Sequence, residues 1–251
     1  MTNKTILITG ATSGIGEAAA RIFAANHYRI IITGRRKERL EKLAEELRKE
    51  KAEVITLCFD VRKSAEVEKN ISSLHGEWKN IDVLVNNAGL ASGFGPIQEG
   101  ETDDWEKMID TNIKGLLYIT RAVAPLMIAH NKGHIINIAS LAGKEVYPNG
   151  NVYCATKHAV DALSRSMRID MLPHGIKVTN IAPGLVETEF SIVRFKGDKE
   201  RAANVYKGYQ PLTAADIADA IWYAASRPAH FCVNDMVLTP LVQANAYMVN
   251  K

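Results

Sequence analysis

Thr5-Ile6-Leu7-Ile8-Thr9 leads directly into Gly10-Ala11-Thr12-Ser13-Gly14-Ile15-Gly16. The first five residues are apolar or β-branched throughout, as in a strand buried on both faces. After the glycines, 17–25 is alanine-rich and helix-forming. Strand, glycine-rich turn and helix in that order open a βαβ unit whose turn can receive a phosphate. Glycine permits the tight turn, lets backbone approach an anion and lets helix pack close on strand. The helix N-terminus adds unpaired N–H groups and the positive end of its dipole. The spacing is GxxxGxG rather than GxGxxG, so the placement after the first strand carries more weight than the pattern itself.

Outward from this turn the two element types alternate. Strands are expected at 29–33, 54–59, 83–86, 134–138, 177–181 and 236–241, and helices at 38–49, 102–112, 115–129, 151–172 and 214–225. Leu40, Leu43, Ala44 and Leu47 repeat at the three/four spacing of one apolar helix face. Pro125 is expected to kink or break its helix. Asp216 stands near the start of the last one. Helices between short buried strands imply right-handed crossovers and a parallel sheet covered on both sides. The expected fold is α/β, a doubly wound parallel sheet of about seven strands flanked by helices. One domain, 1–251, is expected, with an irregular insertion near 187–210 that forms a mobile loop or short surface helices.

The second strand ends in Thr33-Gly34-Arg35-Arg36. In a dinucleotide-binding sheet this is where an acidic residue holds the ribose 2′-hydroxyl of NAD. Two arginines stand there instead. A guanidinium suits a 2′-phosphate, which a carboxylate would repel, so Arg35 and Arg36 point to NADP. An arginine pair at the start of a solvated helix would look the same if the upstream glycine turn were missing.

Composition narrows the remaining choices. The 251 residues are 47% hydrophobic and 24% charged, with a net charge of +3, which is ordinary globular chemistry. The basic residues are scattered, so no nucleic-acid partner is indicated. The apolar region 115–129 is interrupted by Arg121 and Pro125, and no membrane span or leader is expected. Cys58, Cys154 and Cys232 are odd in number and far apart, which suggests neither a disulfide framework nor a zinc site. His27, His75, His130, His134, His158, His174 and His230 show no metal spacing, so no metal is expected. The expected location is the cytoplasm.

Tyr153 and Lys157 lie four apart on a predicted helix and share one face. Ser140 follows the predicted fifth strand, at the end where open α/β sheets place their sites. A tyrosine is a poor base until a nearby cation favours its ionised form. So paired, Tyr153 can exchange a proton with an alcohol or carbonyl oxygen, and a serine hydroxyl can orient that oxygen. On spacing alone the pair also fits a wet helix edge.

These motifs together resemble the short-chain dehydrogenase/reductase family. The residues are Thr9 to Gly16, Asn86-Asn87-Ala88-Gly89, Asn112, Ser140, Tyr153 with Lys157, and Pro183-Gly184, in the family's order and spacing over nearly the whole chain. The resemblance implies a Rossmann-like sheet and hydride transfer between NAD(P) and a carbonyl or alcohol. It implies that Tyr153 is the acid/base. Lys157 would hold the nicotinamide ribose and lower the Tyr153 pKa. Ser140 would bind the substrate oxygen, and Asn112 would hold a relay water. The cofactor would lie on Gly10, Thr12, Ser13, Gly14, Ile15, Gly16, Arg35 and Arg36, with Asp60 and Val61 facing adenine. Asn86, Asn87, Ala88 and Gly89 would line its adenosine side and stabilise the sheet. Pro183, Gly184, Val186 and Thr188 would meet the nicotinamide side, together with Tyr153 and Lys157. A homo-oligomer is implied, a tetramer before a dimer.

A narrower resemblance links 183–198, Pro228-Ala229-His230, Pro240 and Gln243 to the NADP-using serine and 3-hydroxy acid dehydrogenases. It implies a small-molecule substrate such as L-serine or L-allo-threonine. A small acid needs a cation in its pocket, and Arg194, in the irregular segment, can offer a bidentate pair. Substrate binding is therefore expected at Ser140, Tyr153 and Arg194. A 3-ketoacyl, sugar or polyol reductase, or a non-catalytic NADP-binding module, would share the same scaffold.

Overall fold

The structure, a computed structural model, describes residues 4–250, and the ends of the expected 1–251 domain (1–3 and 251) lie outside them. The quoted opening forms β1 (Thr5–Ile8) and α1 (Gly14–Ala25). Then come β2 (Arg29–Gly34), α2 (Lys37–Lys49), β3 (Val54–Cys58), α3 (Ser64–Ser72) and β4 (Ile81–Asn86). The central part holds α4 (Thr102–Ile109), α5 (Leu116–Ile128), β5 (Gly133–Ile138), α6 (Asn151–Met171) and β6 (Ile176–Pro183). After β7 (Val186–Glu187) come α7 (Phe190–Arg194), α8 (Lys199–Tyr206), β8 (Leu212–Thr213), α9 (Ala214–Ser226) and β9 (Asp235–Leu238). Seven strands form one parallel sheet, as the sequence predicts, and their order is β3-β2-β1-β4-β5-β6-β9. A short pairing of β7 with β8 stands apart from it.

Strand residues alternate between two cores. Ile6, Ile8, Ile30 and Ile32 turn to the side covered by α1, α2 and α9. Leu7, Ile31, Leu84 and Ile135 turn to the side covered by α3, α5 and α6. Burial on both faces explains why the strands read as unbroken apolar runs rather than alternating ones. A capping box between Thr213 and Asp216 starts α9 and accounts for the acid near its first turn.

The structure corrects several boundaries. Pro125 lies inside α5, which continues through it. The gap expected between the helices of 102–112 and 115–129 is instead a π turn, Asp110–Gly115, joining α4 to α5 without a break. Helix α3 was not anticipated, because only Val67 and Ile71 among its nine residues are buried. The segment 187–210 contains α7 and α8. Among the described residues, no helix is long and apolar enough to cross a membrane.

From β1 the chain builds outward through β2 to β3, then returns to β4 and builds the other way. Where the direction reverses, the crossovers leave a crevice at the carboxyl ends of β1 and β4. Thr9 fastens this point. Its Oγ1 accepts from the backbone N–H groups of Asn87 and Ala88, both at 3.0 Å, and donates to the Val85 carbonyl at 3.3 Å.

Candidate active site

The cleft at the reversal encloses about 710 Å³. Gly10 has φ +67°, and a Cβ there would stand 2.9 Å from Ala88 Cα. At Gly16 a Cβ would stand 2.5 Å from Asn87 Nδ2 and 2.6 Å from the Gly10 carbonyl oxygen. The turn therefore needs glycine at Gly10 for backbone conformation and at Gly16 for close packing. Gly10, Thr12, Ser13, Gly14 and Ile15 line the cleft, whereas Gly16 lies behind them. Asn87, Ala88 and Gly89 line the opposite wall, and Asn87 Nδ2 donates across to the carbonyls of Thr9 at 2.9 Å and Gly10 at 3.2 Å. Asn86 departs from the expected adenosine wall. It is turned into the sheet, where Nδ2 donates to Asn137 Oδ1 and Thr120 Oγ1, both at 2.9 Å.

Both arginines after β2 reach the cleft. Arg35 is exposed and stands 3.9 Å from Asp60. The Asp60 carboxylate accepts mainly from Arg62, at 2.6 Å, and that arginine holds it below the usual carboxylate range against the opposing effect of burial. Arg36 lies across the glycine turn, donating to Thr12 Oγ1 at 2.8 Å and Ser13 Oγ at 2.8 Å. It also donates to Glu189 at 2.9 Å, a carboxylate shared with Arg39 at 2.7 Å. Neither Glu189 nor Arg39 was singled out in the sequence. The only signal was that Arg39, in the first turn of α2, follows closely on the Arg35-Arg36 pair.

At the other end, Ser140 follows β5 and Tyr153 projects from α6, both facing the cleft. Ser140 Oγ accepts from the Ala142 N–H at 3.1 Å and donates to the Pro183 carbonyl at 3.3 Å. Lys157 is one turn beyond Tyr153, with Nζ donating to the Ile138 carbonyl at 2.8 Å. Burial pushes the Lys157 ammonium down to about 8. Burial also pushes the Tyr153 phenol well above its ordinary value, and Tyr147 adds to this. Arg194 and the Ser140 hydroxyl pull it back only in part. The expectation that Lys157 depresses this phenol is therefore not met among the chain's own groups, where desolvation dominates.

Asn112 sits in the π turn and is buried. Its Nδ2 donates to the Leu90 carbonyl at 2.8 Å and Thr156 Oγ1 at 3.0 Å, while Oδ1 accepts from the Leu90 N–H at 2.9 Å. The side-chain amide is thus committed to the protein and does not line the cleft.

Arg194, at the end of α7, does lie in the cleft. Its guanidinium carbon is 4.8 Å from the centre of the Tyr153 ring, 5.3 Å from Phe190, 5.5 Å from Phe94 and 5.6 Å from Tyr147. One nitrogen donates to the Tyr147 hydroxyl, and Nε is buried with no hydrogen-bond partner among the described residues. The aromatic surround was not legible in the sequence, since residues 94, 147 and 190 meet only in the fold. Pro183, Gly184, Val186 and Thr188 complete the wall between Ser140 and the glycine turn, joined by Gln243, whose Oε1 accepts from the Leu185 N–H at 2.9 Å. Among the described residues no group of His, Cys, Asp and Glu could hold a metal.

Residues 4–199 match the short chain dehydrogenase family. This chain belongs to that family. It is 50% identical over 96% of its length, and of the relative's, to an NADP-dependent 3-hydroxy acid dehydrogenase of Salmonella typhi. It is 45% identical, with the same coverage of both chains, to a serine 3-dehydrogenase of Agrobacterium fabrum. Among solved structures, a closed serine dehydrogenase complexed with NADP+ superposes with a TM-score of 0.92. The identity there is 46%, covering 98% of this chain and 99% of the other.

Proposed function

We propose that this protein is an NADP-dependent dehydrogenase that interconverts a small 3-hydroxy acid, such as L-serine or L-allo-threonine, with its 3-oxo counterpart. The observation that carries the substrate class is Arg194, a cation at the Tyr153 ring whose Nε has no partner among the described residues. A buried donor without a partner is costly and favours an incoming acceptor, and a carboxylate supplies two. Relatives named for 3-hydroxy acids and serine support this reading. So does a 44% identical relative from Chromohalobacter salexigens, matched over 98% of both chains and named sulfoacetaldehyde reductase 2, since a sulfonate is also an anion close to a carbonyl.

The residues present fit NADP. The glycine turn leaves no room for side chains where a pyrophosphate would lie, and Arg35, Arg36, Thr12 and Ser13 converge where a 2′-phosphate would lie. Gly10, Gly14, Ile15, Asn87, Ala88 and Gly89 form its bed, with Gly16 behind, and Asp60 and Val61 border the adenine end. Pro183, Gly184, Val186 and Thr188 take the nicotinamide side. NADP(H), when bound, supplies or accepts the hydride.

Tyr153 donates its proton to the carbonyl oxygen in reduction and takes it back in oxidation. Its raised pKa keeps the phenol protonated, the form that donates in reduction. Ser140 orients the same oxygen. Lys157 Nζ spends one N–H on Ile138 and has others for a ribose hydroxyl. The Asn112 side-chain amide is already committed to Leu90 and Thr156, so a relay water would not be held by that amide. The enzyme acts as one domain and as a homo-tetramer, a state supported by exposed apolar side chains at Ile169, Leu172, Leu241 and Tyr247. Its place is the cytoplasm, a reading that the three unpaired cysteines support.

The test is Arg194→Gln. It should raise KM for L-serine or 3-hydroxypropionate by roughly 10- to 100-fold, in line with loss of a charge-assisted bidentate pair, and leave an uncharged alcohol within about twofold. Equal losses on both would refute the carboxylate assignment and favour a reductase of uncharged substrates.

A further inference from the structure

Glu189 lies between the two ends of the site. Its Oε2 accepts from Arg36 Nη1 at 2.9 Å, and its Oε1 from Arg39 Nη1 at 2.7 Å. Arg36 spends its remaining fork on Thr12 and Ser13. The contact follows from the chain path, because the segment just before α7 lies over the glycine turn. A Cβ at Gly14 would stand 3.3 Å from Thr188 Cβ. Arg36 and Arg39 hold the Glu189 carboxyl below the usual carboxylate range, so it is an anion throughout the neutral range.

We propose that Glu189 is a specificity-determining residue for the cofactor. Its carboxylate occupies the guanidinium that a 2′-phosphate requires, so NADP(H) must displace it from Arg36, and NAD(H), lacking that phosphate, need not. The proposal rests on the reading that Arg36 takes the 2′-phosphate. Two arginines and one carboxylate carry a net charge of +1, whereas the arginines alone carry +2. A phosphate that brings nearly two negative charges outcompetes the carboxylate for Arg36 but loses part of its binding energy in doing so. Arg39 keeps the displaced carboxylate nearby.

The test compares dissociation constants for NADPH and NADH, read by protein fluorescence quenching. The proteins are the wild type, Glu189→Gln, Arg36→Gln and the double variant. Glu189→Gln should tighten NADPH by roughly threefold to tenfold at low ionic strength, with the gain shrinking as salt is added. NADH should stay within about twofold, and the gain should vanish in the Arg36→Gln background. If Arg36→Gln weakens NADPH but Glu189→Gln leaves it unchanged or weaker, the competition is refuted while the 2′-phosphate reading stands. If Arg36→Gln leaves NADPH unaffected, that reading fails and the proposal fails with it. The Glu189 side chain is well exposed, 41%, so the conservative variant should melt with the wild type.

Discussion

Tyr153 and Lys157 are both buried, and burial moves their pKa values apart, the phenol up and the ammonium down. A tyrosine that serves as acid/base in such a setting is indispensable to turnover but makes little of the cofactor's binding. Tyr153→Phe should lower kcat by at least about a thousandfold and leave the NADPH dissociation constant within about threefold. Wild-type turnover in the variant would refute the acid/base role. Lys157 makes a separate prediction through stability. Its folded value of about 8 lies below its ordinary 10.5, so between these the unfolded chain holds a proton that the folded chain lacks. Stability contributed by this group therefore rises with pH across that window, and the full cost of the buried charge is felt below it. Thermal melting of Lys157→Met against wild type should show the difference moving in favour of wild type from pH 7 to pH 10. A constant difference would contradict the buried-charge reading.

Elements carry the next level. The glycine turn sets how closely α1 approaches β1 and β4. Gly16→Ala places a methyl against Asn87 and the Gly10 carbonyl, and should cost roughly 1–3 kcal/mol in urea unfolding, as overpacking does. A change under about 0.5 kcal/mol, the usual size for a tolerant surface site, would show that the turn has slack. The same elements explain what was legible beforehand. Strands such as Ile30-Ile31-Ile32 announce themselves because both faces are covered, and α2 does so through Leu40, Leu43, Ala44 and Leu47. The π turn at Asp110–Gly115 was not legible, since a wider turn leaves no mark in residue type or period. Tyr153, Lys157 and Ser140 were readable through local spacing and strand order. The surround of Arg194 and the Glu189 pairing were not, because their partners lie 47 and 153 residues away and meet only through the sheet's reversal.

Across the whole molecule, the two tasks of the enzyme occupy two ends of one cleft. In the proposed reading the cations after β2 address the cofactor and the cation that ends α7 addresses the substrate, and both line the same cleft. This arrangement predicts a joint preference, for NADP over NAD and for an anionic substrate over a neutral one. The most direct measurement is a set of initial rates with NADP and with NAD on L-serine, L-allo-threonine, 3-hydroxypropionate and 3-hydroxybutyrate, with polyols as uncharged controls. Turnover of the acids with NADP, falling at least about tenfold with NAD and nearly absent for polyols, is the predicted result. Turnover confined to the uncharged substrates, or equal rates with both cofactors, would contradict it.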